Sequence, residues 1–310
     1  MHSLNLYDNR VIDKPLISFV IPTYKRNSFL EKAIDSIIAQ KPCITFDILV
    51  ISNNPDDNMQ ELIDKYRDFN IAFFKNVENY GQVGNINQGI LLSKGEYVSF
   101  LHDDDFLLPN YLSEISKSIL NNKANWSCII PSQLNLYDYY KSNARINFFK
   151  VLCFYRLFYR KRTKKIKPYH CLYSFRDIYN PPTCGTIFRK KDLLDFGLFK
   201  DVHGAAWDYY NFRLFNSSFK ICLIHSYLGV RRMYTGMSNK ESIKLEFKLD
   251  ELEMINDNKK NLFLKLFGKH MVERKGFLNV FGRLIKSIYF YLANLDGYKN
   301  VSKKQFQEFI

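Results

Sequence analysis

The sequence contains no apolar run approaching the ~20 residues that a membrane-spanning helix requires. Its first fourteen residues are polar and charged, without the apolar core of a secretory leader, so a cytoplasmic protein is expected. There is no C-x-x-C pair either. Cys43, Cys128, Cys153, Cys171, Cys184 and Cys222 are scattered, several of them inside apolar runs. That usage suits reduced, buried thiols and argues against a zinc site or a disulfide framework. Internal repeats and low-complexity tracts are absent. What is present is 46% apolar and 16% aromatic residues over 310 positions, enough for a large core in one α/β domain with an appendage.

Acidic residues are missing from one long stretch. Residues 145–176 hold ten Lys and Arg and no Asp or Glu, and residues 259–310 carry a net +8. With the whole chain at +14, these two segments leave a net −4 on the remainder, so the excess positive charge is local. Both segments interleave Phe, Tyr, Leu and Ile with their cations. Such segments suit the interface of an anionic membrane; packing on the core or on a second copy of the chain is the alternative. Nucleic-acid binding is a third reading of basic aromatic surface. No nucleic-acid module is recognisable, and none is expected.

Periodicity orders the first half. Residues 16–22 read as a strand closed by Pro22, and Ser28 opens a helix with Glu31 as its capping-box partner. Leu30, Ala33, Ile34, Ile37 and Ile38 give that helix one apolar face. A second strand spans 46–52. Met59, Leu62, Ile63 and Tyr66 mark a second helix, and 71–75 a third strand. A further helix holds Asn87 and Gly89, ends with Gly95 as C-cap, and precedes a strand from Tyr97 to Leu101. Alternation of strand and helix predicts a parallel sheet with right-handed crossovers.

That last strand delivers His102-Asp103-Asp104-Asp105 to the C-terminal edge of the sheet, where α/β proteins bind ligands. Three adjacent carboxylates repel one another and are best tolerated beside a divalent cation and phosphate oxygens; a solvated acidic loop is the plainer alternative. The ordered set Ser18–Arg26, Ile51-Ser52-Asn53-Asn54, Asn79-x-Gly81 with Asn87-x-Gly89, and Gly95-Glu96-Tyr97 leading to Asp103-Asp104-Asp105 and Pro109 resembles the family 2 inverting glycosyltransferases of GT-A fold. The likeness covers about residues 15–131 well and 180–238 more loosely.

The resemblance implies a Rossmann-like, mostly parallel sheet flanked by helices, with a C-terminal helical appendage. It divides the chain into a GT-A domain over 1–240 (nucleotide-binding half 15–131, acceptor half 132–240) and a basic helical region over 241–310. It implies Mn²⁺ or Mg²⁺ at Asp104 and Asp105, and donor contacts from Pro22, Thr23, Tyr24, Arg26, Asn53, Asn87, Asp103, Gly185 and Arg232. Three positions depart from the family pattern. Asn53 stands where an aspartate usually pairs with uracil, which puts the base in doubt. His102 replaces the first aspartate of D-x-D, and Tyr234 replaces a histidine in the closing loop 232–238.

Inversion needs a base on the far face of the sugar. By resemblance Asp208 is the candidate, with Arg213 one residue earlier than the family spacing; a helix N-cap is the structural alternative for Asp208. Gly185 reads either as a close backbone approach to the donor sugar or as an ordinary turn glycine. The function expected is transfer from a nucleotide sugar, UDP-linked by resemblance, to a saccharide or lipid-linked acceptor in surface polysaccharide assembly. The membrane face and a homo-oligomer are the other partners considered. The alternatives are a non-catalytic sugar-nucleotide-binding or scaffold protein and a nucleotidyltransferase that releases pyrophosphate.

Overall fold

The computed structural model of the chain describes residues 1–25, 27–41, 43–120, 125–136, 167–168, 183–202 and 207–232. The region 241–310, Arg26, Tyr234 and nearly all of 145–176 lie outside these residues.

The described chain builds β1 (Ser3–Asp8), β2 (Ile17–Thr23), α1 (Asn27–Ile38), β3 (Phe46–Ser52), α2 (Gln60–Tyr66), β4 (Ile71–Asn76), α3 (Gly81–Leu92), β5 (Tyr97–Phe100), β6 (Phe106–Leu107), α4 (Tyr111–Leu120), β7 (Cys128–Leu136), β8 (Lys167–Pro168), β9 (Thr186–Arg189), α5 (Lys190–Asp195), α6 (Trp207–Ser218) and β10 (Ile221–Arg232). Ten strands form one sheet in the order β1-β4-β3-β2-β5-β9-β7-β10-β6, with β8 on β10. Strands β4, β3, β2 and β5 are mutually parallel, as is β7 with β10. Strand β9 runs antiparallel between β5 and β7.

Both faces are covered, which is why the central strands are apolar throughout instead of alternating. Phe19, Ile21, Val50 and Phe73 pack under α1, α2 and α4; Val20, Leu49, Ile51 and Phe74 pack under α3, α5 and α6. From β2 the chain winds outward to β3 and β4, then returns through α3 to β5 on the other side of β2. The order therefore reverses between β2 and β5, and the crevice beyond their C-terminal ends is where such a sheet binds ligands.

Several local expectations are corrected. Strand β2 continues through Pro22 to Thr23. The carbonyl of Val20 bonds Leu101 N, so Pro22, two residues on, points its missing N–H to the same side, past the end of the β5 ladder. The polar N-terminus contributes an unforeseen edge strand, β1, antiparallel to β4. Helix α1 begins at Asn27, so Ser28 lies inside its first turn, and Glu31 pairs with Lys65. Gly95 is not the C-cap of α3; Ser93 is. A Cβ at Gly95 would lie 2.4 Å from Ser18 N and 2.9 Å from Ile17 C, so glycine is required there for two backbones to touch.

Candidate active site

The crevice between β2 and β5 is closed by a hydrogen bond from one motif to another. Thr23 Oγ1, the last residue of β2, donates to Asp103 Oδ2 at 2.8 Å. Asp103, Asp104 and Asp105 are 7%, 8% and 3% exposed, so the acidic trio is sunk into the protein and is not a solvated loop. Asp105 N bonds back to the His102 carbonyl, and β6 then pairs with Gly229 and Val230 of β10. That short ladder carries the end of β10 past the trio, where Arg232 N donates to Asp105 Oδ1 at 3.0 Å.

Burial, and next the charge of Asp104, push the Asp105 carboxyl well above the usual carboxylate range; the Arg232 N–H and the Arg231 guanidinium oppose this. Concentrating hard oxygen donors where their charge is so penalised fits Mg²⁺ or Mn²⁺. Such ions take one or two protein carboxylates and complete their shell with phosphate oxygens. Among the described residues no group of three His, Cys, Asp or Glu side chains is arranged to hold a metal by itself. The set fits a cation shared with a ligand better than a closed protein cage.

Arg232 adds an anion-seeking feature. Its guanidinium lies 5.1 Å from the Phe29 ring centroid and 5.3 Å from that of Phe106. Its Nε and Nη2 are buried without a hydrogen-bond partner. Buried donors left unmatched are costly unless a ligand or water meets them.

Just before the trio, His102 Nε2 and Thr183 Oγ1 are 3.1 Å apart. Gly185 adopts φ +71 in the turn before β9, so the turn reading is satisfied. A Cβ there would meet the Tyr111 ring at 2.7 Å. The Tyr111 hydroxyl donates to the Gly185 carbonyl at 2.7 Å.

Two expected contact residues have side-chain amides that bond within the protein. The Asn53 amide makes four hydrogen bonds within the protein, to Asn76, Asn79, Tyr80 and Gly81. Asn87 donates to Phe199 O at 2.8 Å and accepts from Phe199 N at 3.1 Å, which ties α3 to the segment before α6. Buried Asn211 holds the N–H and carbonyl of Lys200 at 2.7 Å each. Together these amides, with Phe188 packed against Phe199, Phe212 and Phe215, fix the base of α6, and Asp208 lies in its first turn. Thr183, Asn76, Asn85 and Asn211 were not anticipated. The recurrence of Asn at 76, 79, 85 and 87, on a strand end and a helix facing the sheet, was the available signal.

The glycosyl transferase family 2 profile matches residues 18–180, just over half of the chain. The chain belongs to that family. A beta-1,3-glucosyltransferase of Campylobacter jejuni, named for GalNAc(5)-diNAcBac-PP-undecaprenol, is 35% identical over 128 residues, 39% of this chain and 41% of that one. An uncharacterized glycosyltransferase of Methanocaldococcus jannaschii is 33% identical over 115 residues, 36% and 40% of the two chains. The match thus spans about two fifths of the length of these relatives. Among solved structures, Staphylococcus aureus TarS 1-349 in complex with UDP-GlcNAc aligns with TM-score 0.56 and 18% identity, over 77% of this chain and 66% of that one. The mannosyltransferase PcManGT of Pyrobaculum calidifontis, in complex with GDP-Man and Mn²⁺, aligns with TM-score 0.53 and 11% identity over 98% and 85%. These likenesses establish the GT-A fold.

Proposed function

We propose that the chain is an inverting glycosyltransferase that takes a nucleoside-diphosphate sugar and passes the sugar to a hydroxyl of a saccharide or lipid-linked acceptor. The observation that carries this is the buried trio Asp103–Asp105 at the β2/β5 crevice, locked to Thr23 and flanked by the unmatched guanidinium of Arg232. Nucleotide-sugar complexes of proteins with the same fold support a donor of this class, UDP-linked in the first instance, and the Campylobacter relative's name supports a lipid-linked acceptor.

In this reading Asp104 and Asp105 hold a divalent cation, and Arg232 faces the diphosphate, since a guanidinium matches phosphate oxygens. When bound, the cation neutralises charge on the departing diphosphate. Thr23 keeps Asp103 in one rotamer at the crevice. Asp208 accepts the proton of the acceptor hydroxyl as its oxygen bonds to the anomeric carbon from the face opposite the diphosphate, and the carbon–oxygen bond to the diphosphate breaks. Segments 145–176 and 259–310 are assigned to the acceptor or to an anionic membrane surface. Binding to vesicles containing anionic lipid, with release by salt, tests that assignment.

Asp208→Asn is expected to keep donor affinity and to slow transfer by ~10²–10⁴, the usual effect of losing a general base. Collapse of donor affinity in that variant would move Asp208 out of the base role. Release of nucleoside diphosphate from a nucleotide sugar by the wild type supports the transferase. Pyrophosphate release, or binding without turnover, would overturn it in favour of a nucleotidyltransferase or a binding protein.

A further inference from the structure

Two consecutive residues between α5 and α6, Phe199 and Lys200, are each held at both main-chain groups by a buried amide from a different helix. Asn87 on α3 donates to Phe199 O at 2.8 Å and accepts from Phe199 N at 3.1 Å. Asn211 on α6 accepts from Lys200 N and donates to Lys200 O, both at 2.7 Å, and also donates to Trp207 O at 2.7 Å. Trp207 immediately precedes Asp208. The rings of Phe100, Phe188, Trp207 and Phe212 pack around Phe199 and attract it without direction, whereas an amide that meets the N–H and the C=O of one residue fixes its orientation.

The clamp stands on the sheet. Two residues after Asn87, a Cβ at Gly89 would come 2.4 Å from Val20 Cγ1, so only glycine lets α3 lie this close to β2. Asn53, at the end of β3, holds the start of α3 through Tyr80 N and Gly81 O. On the other side of the clamp, Gly197 and Leu198 both take positive φ, 88 and 65. A leucine in that region is strained, and such strain persists only where the surrounding structure over-determines it.

Resting on the assignment of Asp208 as base, we propose that Asn87 and Asn211 are positioning residues for Asp208. They carry the placement of β2 and α3 through Phe199 and Lys200 to the first turn of α6, and they do not contact the donor. Their loss therefore acts on turnover and not on donor binding.

The test is a double-mutant cycle on the full chain, with turnover read as UDP release from UDP-glucose or UDP-GlcNAc and affinity as calorimetric titration with UDP and Mn²⁺. Asn87→Ala and Asn211→Ala, each assayed below its own melting transition, are expected to lower kcat by ~10–100-fold, because a misplacement of about 1 Å can cost 10²-fold. The UDP dissociation constant should stay within ~2-fold of wild type. In the Asp208→Asn background either substitution should change the residual kcat by less than ~2-fold, since residues that act as a unit are not additive. The two variants break the clamp independently, so one that fails to fold leaves the other to decide. Wild-type kcat in the folded variants, or a drop of the same size with and without Asp208, would overturn the proposal and leave Asp208 as the base. Weakened UDP binding in Asn87→Ala would also overturn it and return Asn87 to the donor contacts. Wild-type turnover in Asp208→Asn would overturn the base reading, and this proposal with it.

Discussion

At the N-terminal end of the parallel strands, Arg10 grips Asp8 with Nε and Nη2 at 2.9 and 2.7 Å, reaches Asp47 Oδ2 at 3.5 Å and donates to Leu92 O at 3.0 Å. At the C-terminal end of the same strands, three aspartates are sunk almost as deeply, and the hydrogen bonds that reach them include a threonine hydroxyl and a main-chain N–H. The first cluster carries its own cation in a two-pronged pair with good geometry. The second concentrates negative charge and pushes Asp105 toward its protonated form. A balanced cluster is a structural cross-link between β1, β3 and α3, whereas a cluster biased to one sign is tolerated for the ligand it receives.

Removing the cation of the balanced cluster should have the largest effect on stability. Arg10→Ala takes the guanidinium from Asp8 and from buried Asp47 and is expected to cost ~3–5 kcal/mol in urea unfolding, the usual penalty for breaking a buried pair. Donor binding by the folded fraction should be unchanged. Asp105→Asn at the other end should leave the ligand-free protein equally or more stable, because the amide still accepts from Arg232 N and removes a charge from the trio. Equal destabilisation by both substitutions would erase the distinction between the two ends.

Thr23→Val sharpens the comparison at smaller scale. Loss of one hydrogen bond to a charged acceptor is expected to cost ~1.5–3 kcal/mol if Asp103 keeps its charge, read as a shift in the urea midpoint. The smallest effect concerns pH. Burial raises the Asp47 carboxyl above 3.8, against Ser18 and Arg10. The folded state therefore holds that proton more tightly than the unfolded state, and this group's contribution to stability falls as pH rises through the window above 3.8. Asp47→Asn should flatten that part of the stability profile; an unchanged slope would assign it to other groups.

The alternation of strands and helices from β2 to β5 was legible because apolar runs and 3.6-residue periodicity are local properties of the chain. The position of the acidic turn followed from the same pattern. The edge strand β1 was not legible: Leu4 and Leu6 alternate with polar residues in a segment whose pairing with β4 lies some seventy residues away. Gly95 was misread because a helix-ending glycine and a glycine under a crossing backbone look alike in sequence. Asn53 and Asn87 came out of motif matching as ligand contacts; the bonds of their amides to Tyr80, Gly81 and Phe199 belong to tertiary geometry that no local pattern carries. Asp208 was placed by resemblance, and the Phe188 contacts with Phe212 and Phe215 that anchor its helix come from a strand that precedes it by about twenty residues.

Completion of the acidic turn by a cation and a diphosphate is tested most directly by thermal unfolding of wild type and Asp104→Asn with UDP, with and without Mn²⁺. In the wild type the melting temperature should rise with UDP only when Mn²⁺ is present, by the equivalent of ~2.7 kcal/mol at 100 times the dissociation constant. In Asp104→Asn, which should melt normally without ligand, the Mn²⁺-dependent rise should vanish. A wild-type rise that is the same without Mn²⁺, or one that persists in Asp104→Asn, would contradict the account.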